Sequence, residues 1–186
     1  KTLWMIMFGV NCKLNTPTIL TFSRIILIPF FILTTPQSPL LGITIFLIAS
    51  LTDFLDGYLA RKSGQITKFG IILDPIADKF LIISALILLV DMVRVSSWVA
   101  ITIIVREFVV TGLRVVALSK NIVIPAGTGG KIKTVSQMLA IILLLLPGGV
   151  GFIDFYDVGL IFIYIALILA LESGIKYTIS FWRQVQ

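Results

Sequence analysis

The sequence predicts an all-α integral membrane protein: six transmembrane helices behind a short N-terminal interfacial segment. Three observations carry this reading. The 186-residue chain is 58% apolar and only 13% charged, with a strongly positive mean hydropathy. A soluble domain averages about 45–50% apolar and about 25% charged. Six apolar stretches reach the roughly 17–25 residues that a helix needs to cross the hydrocarbon core. These stretches are continuous and do not alternate, which argues against a β-barrel.

In chain order, LWMIMFGV (3–10) resembles a short signal core, but no convincing small-residue cleavage site follows it. Residues 1–14 therefore read as an uncleaved interfacial segment or as expression-derived sequence, and residues 15–186 as one membrane domain. The spans are expected near 17–35, 40–60, 71–92, 96–117, 132–147 and 156–181. The connections are short and punctuated by Pro, Gly or Ser, with no second domain and no low-complexity tract. A single cysteine, Cys12, excludes an intrachain disulfide and a multi-cysteine zinc site. The chain has no His, so acid–base chemistry falls to Asp, Glu, Lys or Tyr.

The net charge of +6 reflects loop placement better than nucleic-acid binding. Arg61, Lys62 and Lys68 lie in the second connection. Arg114, Lys120, Lys131 and Lys133 lie around the fourth, and Lys1, Lys13, Lys176 and Arg183 near the ends. The first connection, TTPQSPL, has no charge, and the fifth has only Asp154 and Asp157. Basic residues collect on the cytoplasmic side, so both termini and the second and fourth connections are expected there.

That topology puts four carboxylates at one depth. Asp53 and Asp56 end the second span, and Asp74 and Asp78 begin the third. On helices, spacings of three and four residues put each pair on one face. Four acids in an apolar setting repel one another and are costly to desolvate unless a cation joins them. A divalent metal with oxygen ligands fits. Gly57, Ala60 and Gly70 leave room beside the acids, and Arg61, Lys62 and Lys68 add positive charge. Metal-holding acids beside phosphate-holding bases suit a pyrophosphate-bearing substrate. The plainer alternative is a pair of helix ends with solvated acids.

These residues spell D-x-x-D-G-x-x-A-R-x8-G-x-x-x-D-x-x-x-D in full: Asp53, Asp56, Gly57, Ala60, Arg61, Gly70, Asp74 and Asp78. The pattern resembles the signature of the CDP-alcohol phosphatidyltransferase family. The resemblance implies that Asp53, Asp56 and Asp74 ligate Mg²⁺ or Mn²⁺. It implies that Asp78 shares the metal site and acts as base on an acceptor hydroxyl, and that Gly57, Ala60, Arg61 and Gly70 line the CDP site. It also implies a bacterial inner membrane location, contact with membrane lipids and a homodimer.

Four further segments are similar to motifs of the phosphatidylglycerophosphate synthases within that family. NTPTILTFSR (15–24) matches at Asn15, Pro17, Thr21 and Arg24, with Thr18 where Asn is usual. The resemblance adds Asn15 to the CDP site; Asn15 and Thr16 also suit a helix cap before Pro17. REFVVTGLR (106–114) and GGKIKTVSQM (129–138) point to Arg106, Arg114, Lys131 and Lys133 as holders of the acceptor phosphate. A structural Arg106–Glu107 network joining helices is the alternative for the first segment, and positive-inside anchoring for the lysines. ESGIKY (172–177) matches at Ser173, Gly174 and Tyr177, with Glu172 and Lys176 spaced for an i,i+4 pair. The resemblance thus implies transfer of a phosphatidyl group from CDP-diacylglycerol to sn-glycerol 3-phosphate. Rival readings are another CDP-alcohol transferase, such as one making phosphatidylinositol phosphate; an intramembrane prenyltransferase; and a cation channel or transporter.

Overall fold

The computed structural model describes residues 16–63, 68–119 and 128–185, with side chains described at 23–52, 79–117, 130, 132–152 and 154–184. Six helices make up nearly all of it: α1 Thr16–Thr34, α2 Pro39–Ser63, α3 Lys68–Asp91, α4 Ser97–Ser119, α5 Thr128–Leu145 and α6 Phe155–Val185. They correspond one for one to the six apolar stretches. The segment 1–14 and Asn15 lie outside the described residues. Among the described residues, the one strand pair is a small hairpin before α6. In it, β1 (Gly149–Val150) pairs antiparallel with β2 (Ile153–Asp154).

Local chemistry sets the helix ends. The α6 start is capped by Asp154, whose Oδ1 accepts a hydrogen bond from the Tyr156 N–H at 2.9 Å. Asp157 in the first turn and Arg183 in the last complement the helix dipole. The α3 end is a Schellman turn: the Arg94 N–H bonds the Leu89 carbonyl at 2.8 Å, and the Val93 N–H bonds that of Val90 at 3.0 Å. Such a turn puts one residue in the left-handed region, and here it is Val93, at φ 56°.

The helices pack as a bundle. The most extensive pairing is α5 along α6; α1 packs on α2 and α3, and α4 packs on α6. Gly159 permits the α5–α6 approach, since a Cβ there would lie 2.8 Å from Leu144 Cγ and 3.0 Å from the Leu144 backbone nitrogen. The apolar core gathers Phe31, Phe46, Leu86, Leu89, Val99, Ile103, Leu144 and Ile163. Phe31 and Phe46 place their rings 5.9 Å apart. All eight lie toward the end that carries the α1–α2 turn, the α3–α4 turn and the hairpin.

The outside of the bundle is also apolar. Ile26, Phe30, Leu33, Ile101, Phe108, Ile168 and Ile175 are exposed, whereas water-facing monomers keep contiguous apolar patches small. Among the described residues, one helix, Phe155–Gln184, is by itself long and apolar enough to cross a membrane, with 30 residues and mean hydropathy 2.3. Shorter apolar helical segments are Ser23–Thr34, Pro39–Thr52 and Ile132–Leu145. The helix α4 has the length but carries Arg106, Glu107 and Arg114. Charge inside the helices, not lack of length, thus separates α4 from α6.

Candidate active site

The signature residues occupy two consecutive helices. Asp53, Asp56, Gly57, Ala60 and Arg61 fall on the second half of α2, and Gly70, Asp74 and Asp78 on the first half of α3. Helical phase puts Asp53 with Asp56 on one face, and Asp74 with Asp78 on another. The side chains of all eight lie outside the described residues, as does that of Lys131. Among the described residues, no three of His, Cys, Asp and Glu gather into a metal cluster. The candidate donors remain the four Asp that the sequence pattern singles out, an all-carboxylate set suited to a hard divalent cation.

The described side chains begin next to these acids. Ser50 lies on α2, three residues before Asp53, and Lys79 directly follows Asp78 on α3. Both line a cavity of about 210 Å³, together with Arg24 of α1, Glu107 of α4 and Lys133 and Gln137 of α5. Five helices thus supply polar side chains to one interior space. Arg24, Lys133 and Gln137 are buried, at 1%, 5% and 2% exposure. Buried charge is expensive unless it is paired or has a ligand to hold.

Glu107 organises the cations. Its Oε1 accepts hydrogen bonds from Lys133 Nζ and, at 3.1 Å, from Arg106 Nη1. Its backbone carbonyl faces Lys79 Nζ at 3.4 Å. One carboxylate therefore ties α4 to α5, and its main chain ties α4 to α3. Among the described residues of the lining, Arg24, Lys79 and Lys133 stand against Glu107, an excess of positive charge. An interior of that sign is built for an anion.

Arg106 points the other way, into α6. Its Nε donates to the Ala170 carbonyl at 2.7 Å, and its Nη2 donates to Ser173 Oγ at 2.6 Å. Gly174 makes room for it, because a Cβ there would lie 3.2 Å from Arg106 Cγ and Nε. The Arg106–Glu107 network joining helices, one of the two readings of the sequence, is thus present. Three bonds leave N–H groups of a five-donor guanidinium over. Arg114 is exposed, its guanidinium 5.9 Å from the ring centre of the buried Tyr177. Ser173, Gly174 and Tyr177 therefore serve the two arginines of α4. The Glu172–Lys176 pair forms at 2.5 Å on the exposed face.

Sequence reasoning gave no role to Lys79 or Ser50, and noted Arg24 and Gln137 only as motif positions. The available signal was a polar residue inside an otherwise apolar helix. What it lacked was the knowledge that these four share one cavity.

Fold and site together define an apolar-surfaced helical bundle with a buried cationic cavity beside two acid-bearing helices. The family model for CDP-alcohol phosphatidyltransferase matches residues 14–172, and the chain belongs to that family of enzymes. It is similar to proteins named CDP-diacylglycerol–glycerol-3-phosphate 3-phosphatidyltransferase. The Bacillus subtilis protein is 38% identical, over 92% of this chain and 97% of its own length. That of Rickettsia bellii is 40% identical over 88% and 93%, and that of Haemophilus influenzae 41% over 89% and 92%.

Proposed function

We propose that this protein transfers the phosphatidyl group of CDP-diacylglycerol to sn-glycerol 3-phosphate, releasing CMP and phosphatidylglycerophosphate. The names of relatives at about 40% identity support the substrates. The observation that carries the reading is the cationic cavity whose α2 and α3 walls adjoin Asp53 and Asp78. A donor bound over the acids and an acceptor bound in the cavity then meet at the boundary.

Asp78 takes the proton of the acceptor's primary hydroxyl, and the oxygen attacks the phosphorus that carries diacylglycerol. The bond to CMP breaks, and CMP leaves. Gly57, Ala60, Gly70 and Asn15 border the CDP moiety, and Arg61 faces its diphosphate. A divalent cation, Mg²⁺ or Mn²⁺, held by Asp53, Asp56, Asp74 and Asp78 would neutralise charge on the diphosphate. Lys133 holds the acceptor phosphate with Lys79 and Arg24, which line the same cavity; Lys131, Arg114 and Arg106, the last turned toward α6, add positive charge around that site. Glu107 keeps Lys133 and Arg106 in place between turnovers. All six helices span a bacterial inner membrane, with both termini and the acids at the cytoplasmic face, and two copies form a homodimer. The exposed apolar side chains then meet lipid, and the donor's acyl chains enter from the bilayer.

The test is CMP release by the purified protein with CDP-diacylglycerol and Mg²⁺. Parallel reactions offer glycerol 3-phosphate, inositol phosphate or serine, each with an EDTA control. Release that requires glycerol 3-phosphate and stops with EDTA supports the proposal. Release with another acceptor would keep the acid site and overturn the acceptor assignment.

A further inference from the structure

Two buried polar atoms on residues that line the cavity are left over after the charges are accounted for. Gln137 Nε2 and Ser50 Oγ have no hydrogen-bond partner among the described residues. Ser50 stands apart from its own helix. On α2 the hydroxyls of Thr44 and Thr52 return to the carbonyls of Leu40 and Ile48, at 2.9 Å and 2.6 Å. Thr111, Thr134, Ser173 and Thr178 do the same on other helices. This back-bonding is the ordinary fate of a helical hydroxyl. Gln137 lies one turn beyond Lys133 on α5 and is almost fully buried. Polar atoms so placed are costly unless something in the cavity bonds them.

A single water needs only roughly 10–15 Å³ of such space, so the cavity admits a small organic molecule. The cations suit its phosphate, since charge-assisted hydrogen bonds are about twice as strong as neutral ones. The neutral pair suits a neutral group that both donates and accepts. An amide N–H donates, and a serine hydroxyl accepts or donates, which together complement one alcohol. Under the proposed function, sn-glycerol 3-phosphate has such a group: a secondary hydroxyl that neither reacts nor carries phosphate. We infer that Gln137, with Ser50, is a specificity-determining residue that binds the secondary hydroxyl of the acceptor. The inference rests on the proposed acceptor. It extends that proposal from holding a phosphate to choosing among three-carbon phosphates.

The experiment compares kcat/KM for sn-glycerol 3-phosphate and for 3-hydroxypropyl phosphate, which lacks only that hydroxyl. It uses full-length protein in lipid nanodiscs, as wild type, Gln137→Met and Ser50→Ala. Wild type is expected to prefer glycerol 3-phosphate by at least about tenfold, as expected when a site built for a hydroxyl meets an analogue without it. Each variant is expected to lose activity on glycerol 3-phosphate alone, bringing the ratio to within about threefold of unity. An equal loss on both acceptors, or an unchanged ratio, would overturn the inference and leave Gln137 a packing residue. Ser50→Ala removes one atom, so it decides the matter even if Gln137→Met misfolds. Wild type active on both acceptors without preference would also overturn the inference while sparing the proposed function. Wild type inert toward glycerol 3-phosphate, but active with another alcohol, would overturn both.

Discussion

The two halves of the bundle are built on opposite rules. Toward the hairpin, the interior is hydrocarbon: Phe31, Phe46, Leu89, Leu144 and Ile163 pack at or near zero exposure. Toward the acids, the same helices bury Arg24, Lys133 and Gln137 around a cavity. The outside is apolar along much of the bundle. One half spends its interior on packing, the other on a charged, incompletely filled space. A bundle that needed only stability would close that space with leucine, since buried ion networks often add little over apolar packing. Under the proposed function the polar half is the working half, and the apolar half holds its five contributing helices in register.

Substitutions in the two halves should separate accordingly. The largest effect is expected at Asp78. Asp78→Asn should lower kcat by about 10²–10⁴-fold, the range for losing a general base, with milder loss of CDP binding measured by calorimetry. Near-normal turnover would remove Asp78 from the base role. Next is Glu107, where Glu107→Leu leaves Lys133 and Arg106 without their shared carboxylate. Breaking a buried pair from one side costs about 3–5 kcal/mol, which should appear as a lowered Tm together with a raised KM for glycerol 3-phosphate. An unchanged Tm would mean that the α4–α5 tie is not structural.

In the apolar half, Phe31→Ala should cost about 3–5 kcal/mol of stability through the cavity it opens. The KM for both substrates should stay at wild-type values in surviving protein. A selective change in acceptor KM would blur the division between the halves. The smallest effect is a gain. Val93 is a β-branched residue held at φ 56° in a Schellman turn, where glycine is the usual occupant. Val93→Gly should raise stability by about 0.5–1 kcal/mol, read as a higher Tm with activity unchanged.

The apolar half was the more legible in sequence. A continuous run of about twenty apolar residues permits little except a helix, so all six helices were anticipated near their observed limits. Val93 was not, because a Schellman turn with valine breaks the glycine rule that a reader relies on. The polar half was legible where its residues are close in sequence. Asp53 with Asp56, and Asp74 with Asp78, announce themselves by spacing on one helix. Lys79, Ser50, Arg24 and Gln137 did not, because their meaning lies in convergence from four helices that sequence separates by up to 113 positions, as their numbers in the chain give (137 − 24). Arg106 was ambiguous for a related reason. Whether it turns toward the cavity or toward Ser173 depends on the room left by Gly174, sixty-eight residues on (174 − 106).

Under the proposed function the cationic cavity, and Lys133 within it, holds the acceptor and not the nucleotide lipid. The most direct measurement is the pair of KM values for Lys133→Met in CMP release. The KM for glycerol 3-phosphate should rise at least about tenfold, as expected for loss of a charge-assisted bond, while that for CDP-diacylglycerol stays within about twofold. A raised KM for CDP-diacylglycerol with an unchanged KM for glycerol 3-phosphate would place the donor in the cavity and contradict the assignment.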